Sequence, residues 1–128
     1  MQTKIALIFL ATILAIDSIW LKGASKMHNA TIQAVQKSPI EVNLAWGAGF
    51  YVLAVMAFVF IVLPMAKGEP KRAAIYGALC GLLMYGTFDI TNKAIFKDYP
   101  TSYALADTAW GTFAMGAAAF IVAKFFAK

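Results

Sequence analysis

The chain has 128 residues, 62% of them apolar and only 13% charged, with a net charge of +5; an ordinary soluble domain carries about 25% charged residues. This composition excludes a water-soluble domain and points to an integral membrane protein. The basic residues sit at the ends of apolar runs and not in one basic stretch, so the positive charge reads as headgroup anchoring and no nucleic-acid partner is expected.

Four apolar stretches fill the chain: residues 5–16, extended to 21 across Asp17, and the uncharged runs 42–66, 73–88 and 108–123. Each can cross a hydrocarbon core about 30 Å thick at about 1.5 Å per helical residue. The expected fold is all-α, a four-transmembrane-helix bundle forming a single membrane domain over residues 1–128. Its helices are placed at about 3–22, 41–66, 72–96 and 102–127, with a short amphipathic segment at about 25–37.

Only Lys4 precedes the first run, and no small-residue cleavage pattern follows it, so the first helix reads as retained and not as a removed signal peptide. Asp17 and Trp20 lie one turn apart on one face of it. Residues 25–37 then alternate polar side chains with Ala30, Ile32, Ala34 and Val35. They are too few to span, and form either an interfacial helix or an extension of the first. His28 stands there without a Cys, His or acidic partner at ligand spacing and reads as a solvated surface residue.

Ser38-Pro39 marks a break, and the second helix begins near Glu41 with Asn43, Gly47, Phe50 and Ala54 on one face, Trp46 and Tyr51 to its sides, and Pro64 in its last turn. In the third helix Gly77 and Gly81 have the spacing that lets backbones approach closely in lipid, a contact either within the chain or between two copies as a homodimer. Tyr85, Asp89, Asn92 and Phe96 follow as one stripe. The fourth helix sets Asp107, Gly111, Ala114 and Ala118 on a narrow face with Trp110 beside it. Cys80, the only cysteine, excludes an internal disulfide framework and reads as a packing residue.

Consecutive spans alternate in direction, which brings the polar residues to one depth. Asp17 and Asp89 close the first and third helices, while Asn43 and Asp107 open the second and fourth, so with Asn92 they share one leaflet. The three tryptophans lie at the same end, in Asp17-Ser18-Ile19-Trp20, Asn43-Leu44-Ala45-Trp46 and Asp107-Thr108-Ala109-Trp110. An aromatic belt with helix-end acids would account for Trp20 and Asp107. It would leave Asp89 opposed to its helix dipole, and an inward pocket is the better reading, because a carboxylate in lipid needs a partner.

The ligand- or ion-binding candidates are Asp17, Trp20, Asn43, Trp46, Tyr85, Asp89, Thr91, Asn92, Asp107 and Trp110. Asp89 is the expected principal charge, Asn43 and Asn92 the orienting groups, and Lys22 and Lys93 the nearest internal cations. No cofactor and no resident metal are expected. Six Lys and Arg residues lie at the end bearing the termini and five at the polar end. That bias favours cytoplasmic termini and a plasma or inner membrane.

Asp17-x-x-Trp20-Leu21, Pro64, Gly86-Thr87-Phe88-Asp89-Ile90-Thr91-Asn92 and Asp107-Thr108-Ala109-Trp110-Gly111 occur in this order. With them the chain resembles, over nearly its full length, the small predicted membrane proteins of domain of unknown function 2177. That family typically has tyrosine where this chain has Phe88. The resemblance implies a four-helix membrane protein with Asp17, Trp20, Asp89, Thr91, Asn92, Asp107, Trp110 and Gly111 as motif residues, and it implies no activity.

Three functions are therefore expected to compete. The first is a transporter or permeation protein for protons or cations, with the tryptophans offering cation-π faces. The second is a membrane enzyme or binding protein acting on a lipid or isoprenoid. The third is a structural or accessory subunit. The expected partners are the bilayer and a small cationic or amphipathic ligand.

Overall fold

A computed structural model describes residues 1–127 of the chain as five helices: α1 (Gln2–Gly23), α2 (Ser25–Gln36), α3 (Leu44–Ala66), α4 (Pro70–Ile95) and α5 (Thr101–Phe125). All but α2 are long and apolar enough to cross a membrane. The chain is an integral membrane protein of all-α class. Charge and proline mark the limits of the spans in the sequence.

The α1–α2 junction is a bend and not a continuation. Ala24 leaves helical geometry (φ −108°, ψ 19°) while its N–H still bonds the Trp20 carbonyl. The amphipathic segment is thus a separate helix, with Thr31 buried on its inner face and Val35 against Tyr99, Tyr103 and Ala104.

Asn43 stops the linker and starts α3 by accepting the N–H groups of Ala45 and Trp46 at 3.1 and 3.2 Å. A cap of this kind satisfies amides that the first turn leaves without helical partners. The helix therefore begins at Leu44 and not near Glu41.

Toward its other end α3 widens into a π turn over Phe58–Val62, where the Leu63 N–H bonds the Phe58 carbonyl. Pro64 explains the widening: it lacks an N–H and its ring crowds the carbonyl one turn back, and the larger turn relieves both. The turn places Phe58 face to face with Phe9 of α1 (centroids 4.1 Å apart, planes 6° apart).

The closest helix contact joins α4 to α5. A Cβ added to Gly77 would lie 2.6 Å from the Ala119 Cβ, and one on Gly81 would lie 2.2 Å from the Gly111 carbonyl oxygen. Only hydrogen fits at either place. In lipid such close van der Waals packing replaces the hydrophobic drive that is absent between helices. It also corrects the expected dimer face, since the Gly77 and Gly81 surface is occupied by α5 of the same chain.

Candidate functional site

Asp17-x-x-Trp20 on α1 and Asp107-x-x-Trp110 on α5 meet as a reciprocal pair. Trp20 Nε1 donates to Asp107 Oδ1 at 3.0 Å, and Trp110 Nε1 donates to Asp17 Oδ1 at 3.0 Å. The two indoles stack at 5.4 Å with planes 9° apart. Each acid reaches past its own tryptophan to the one on the antiparallel helix. An i, i+3 spacing puts acid and indole on one face, and opposed helix directions bring the two faces into register.

Asp17 is 5% exposed and also accepts a hydrogen bond from Tyr51 of α3. Asp107 is 7% exposed and accepts from Trp20. Asp89 is fully buried and accepts from Tyr99 Oη at 2.6 Å and Thr108 Oγ1 at 3.1 Å. Tyr99 sits in the loop between α4 and α5, where burial and then its bond to Asp89 push the phenol above its usual range. Asn92 stands half-buried beside that hydroxyl.

Among the described residues every protein donor to these three carboxylates is neutral. Lys93 donates to the Tyr99 carbonyl at 2.9 Å and to no acid, and Lys22 is exposed, which corrects both as expected internal cations. Among the described residues the one ion pair, Lys37 with Asp98, is exposed and includes none of the three acids. Among the described residues, too, no group of three or more His, Cys, Asp or Glu side chains is gathered closely enough to hold a metal ion.

Asp17 and Asp107 line a cleft of about 790 Å³ between α1, α2, α3 and the facing ends of α4 and α5. Its other walls are almost wholly apolar, including Leu21, Ile32, Ile40, Val42, Phe50 and Met84. Tyr85 also faces it. The Tyr85 ring lies directly on Gly111, where an added Cβ would be 2.0 Å from the ring. Among the described residues its hydroxyl is buried without a hydrogen-bond partner; Asp17 lines the same cleft but closes no bond to it.

The expected site is thus brought together in part. Asp17, Trp20, Tyr85, Asp89, Asp107 and Trp110 converge, with Asn92 at their edge. Asp89, fully buried and bonded to Tyr99 and Thr108, does not line the cleft, so Asp17 and Asp107 are the acids that do, a correction to the expected principal role of Asp89. Asn43 is a helix cap and not an orienting group. Trp46, 82% exposed, points away from the protein because the first turn of α3 has no neighbour on that side. Thr91 is exposed on the outer face of α4.

His28 is not a solvated residue. Its Nδ1 accepts from the Tyr103 hydroxyl at 2.8 Å, and its Nε2 donates to the Trp20 carbonyl at 3.3 Å. Along with Tyr51, Tyr99, Tyr103 and Thr108 it belongs to the polar shell and carried no local signal, since its partner Tyr103 is 75 positions away.

Most of the motif residues build this shell, and the family model described as "Predicted membrane protein (DUF2177)" matches residues 3–123. The chain belongs to this family. The DUF2177 description carries membrane location and no activity, and the chemistry must come from the site. No curated protein and no solved structure matches the chain.

Proposed function

We propose that this DUF2177 protein is a small transporter whose cleft takes up an organic cation with an apolar body and holds its charge against Asp17 and Asp107. One observation carries this reading: two buried carboxylates with only neutral protein donors line a cleft that is otherwise mostly apolar. A bound cation about 4 Å from a carboxylate gains about 4 kcal/mol at an effective dielectric constant of about 20. The apolar walls would bury the rest of the ligand, and 790 Å³ is within the range of about 300–1,000 Å³ usual for small-molecule sites.

The N-terminal half of α3 is the wall that would move to admit and release the ligand. Leu44, Trp46, Val52 and Leu53 are exposed there, and side chains added at Gly47 or Gly49 would touch nothing. A segment with few buried contacts opens most readily. The slight Lys and Arg excess at the end bearing the termini supports cytoplasmic termini, with the cleft in the outer leaflet.

Uptake of a lipophilic cation into proteoliposomes tests the proposal. Wild-type protein should transport it above the protein-free rate, and Asp17→Asn and Asp107→Asn should each weaken binding at least about tenfold. Undiminished binding and uptake in the double Asn variant would overturn the reading.

A second reading, an enzyme acting on a lipid, draws on the same apolar walls and on Ser25 and His28 at the cleft. It is the weaker one, because Tyr103 and the Trp20 carbonyl engage both ring nitrogens of His28 and leave Ser25 without a free base. Release of a product from a lipid extract on incubation with purified protein would reverse that ranking.

A further inference from the structure

The head end of the cleft presents more hydrogen-bond acceptors than an unspecified positive charge needs. Asp17 and Asp107 both line it, and an ionised carboxylate has room for about four hydrogen bonds. Protein donors supply two to Asp17, from Tyr51 and Trp110, and one to Asp107, from Trp20. Tyr85 adds an independent feature: it is 8% exposed, lines the same cleft and has an unpartnered hydroxyl. Buried hydroxyls are nearly always bonded, and one left alone is costly. Gly111 is what seats that ring, since any side chain there would displace it.

Resting on the cleft as a cation site, we infer that its ligand is a primary amine on an apolar chain, without a phosphate, and that Tyr85 selects it over a quaternary ammonium. A primary ammonium carries three N–H donors and can meet three acceptors: the two carboxylates and the Tyr85 phenol oxygen. Tyr85 can then turn its own proton toward the nearby Asp17. A quaternary ammonium has no N–H, so it would satisfy the charge and leave Tyr85 unpaired.

The lining also separates two sources of such an amine. Among the described residues no Lys or Arg lines the cleft, so the phosphate of an ethanolamine phospholipid would find no cation and would face Asp17 and Asp107. A free long-chain amine meets no such repulsion.

The experiment uses the full chain in nonionic detergent with Trp46→Phe as background, which leaves Trp20 and Trp110 as the only indoles to report on the site. Dodecylamine and dodecyltrimethylammonium are titrated at matched micelle concentration, with phosphatidylethanolamine as competitor. Dodecylamine is expected to bind at least about tenfold more tightly than its trimethyl analogue, the worth of a hydrogen bond to a charged group. Tyr85→Phe keeps the ring on Gly111 and should reduce that preference, weakening dodecylamine while leaving the trimethyl probe within about twofold.

Equal binding of the two probes, both weakened by Asp17→Asn, would overturn the amine assignment and leave the cation site standing. Competition by phosphatidylethanolamine as effective as that of dodecylamine would overturn the phosphate-free assignment. Binding of neither probe would sink both this inference and the transport reading beneath it. The two-probe comparison on the background protein decides the matter even if Tyr85→Phe fails to fold.

Discussion

The two ends of this bundle are held by different means. At the end bearing the termini Phe9, Phe58, Val62, Ala119 and Val122 are buried with no polar side chain among them, and α3 is pinned there by its stack on α1. At the opposite end buried aspartates, tryptophans and tyrosines bond to one another, and α3 stands off from α4 and α5 across the cleft. Glycine shows the contrast most directly. Gly77 and Gly81 press on α5, while around Gly47 and Gly49 there is open space. Packing builds the closed end, and directed polar bonds keep the other end in shape while leaving room for a ligand.

The largest effect should come from breaking the seam between α4 and α5. Gly81→Ala would force a methyl group against the Gly111 backbone and should lower stability by at least about 3 kcal/mol, read as a drop in thermal midpoint in detergent. Next is Asp89→Asn, which removes the charge that Tyr99 and Thr108 donate to. It should cost about 2 kcal/mol yet leave cation binding in place, the reverse of Asp17→Asn. A loss of binding would move Asp89 back into the site.

Tyr51→Phe should cost about 1.5 kcal/mol, since Asp17 keeps Trp110 as a donor, and should loosen the tie between α1 and α3. Faster hydrogen exchange confined to the first half of α3 would show it; an unchanged exchange pattern would mean that the bond does not hold that wall. The smallest change, and of opposite sign, is Gly49→Ala. With nothing for the methyl group to meet, it should stabilise α3 by up to about 1 kcal/mol. Marked destabilisation would show that this half of α3 is packed after all.

Local chemistry announced much of this. Asp17, Asp89 and Asp107 were conspicuous because carboxylates are costly within apolar runs, and alternating spans required them to share a depth. The same reasoning could not distinguish Trp46 from Trp20 and Trp110. Asn43-x-x-Trp46 matches the other two motifs in spacing, yet Asn43 turns back to cap its own helix and Trp46 faces outward. Gly77 and Gly81 likewise promised a close helix contact without saying whether the neighbour was another chain or α5.

Apolar run length, the positions of charges and the prolines determined the membrane class, the four spans and the end at which polar groups collect, because each depends on a residue's own transfer energy or backbone freedom. Tertiary structure alone decided that the tryptophans exchange acids between α1 and α5, that Asp89 is fully buried while Asp17 and Asp107 line a cleft, and that the Tyr85 hydroxyl is left unpaired. Those outcomes depend on how helices rotate and lean against one another. That geometry is set by contacts between residues far apart in the chain, such as Trp20 with Asp107, and no single segment encodes it.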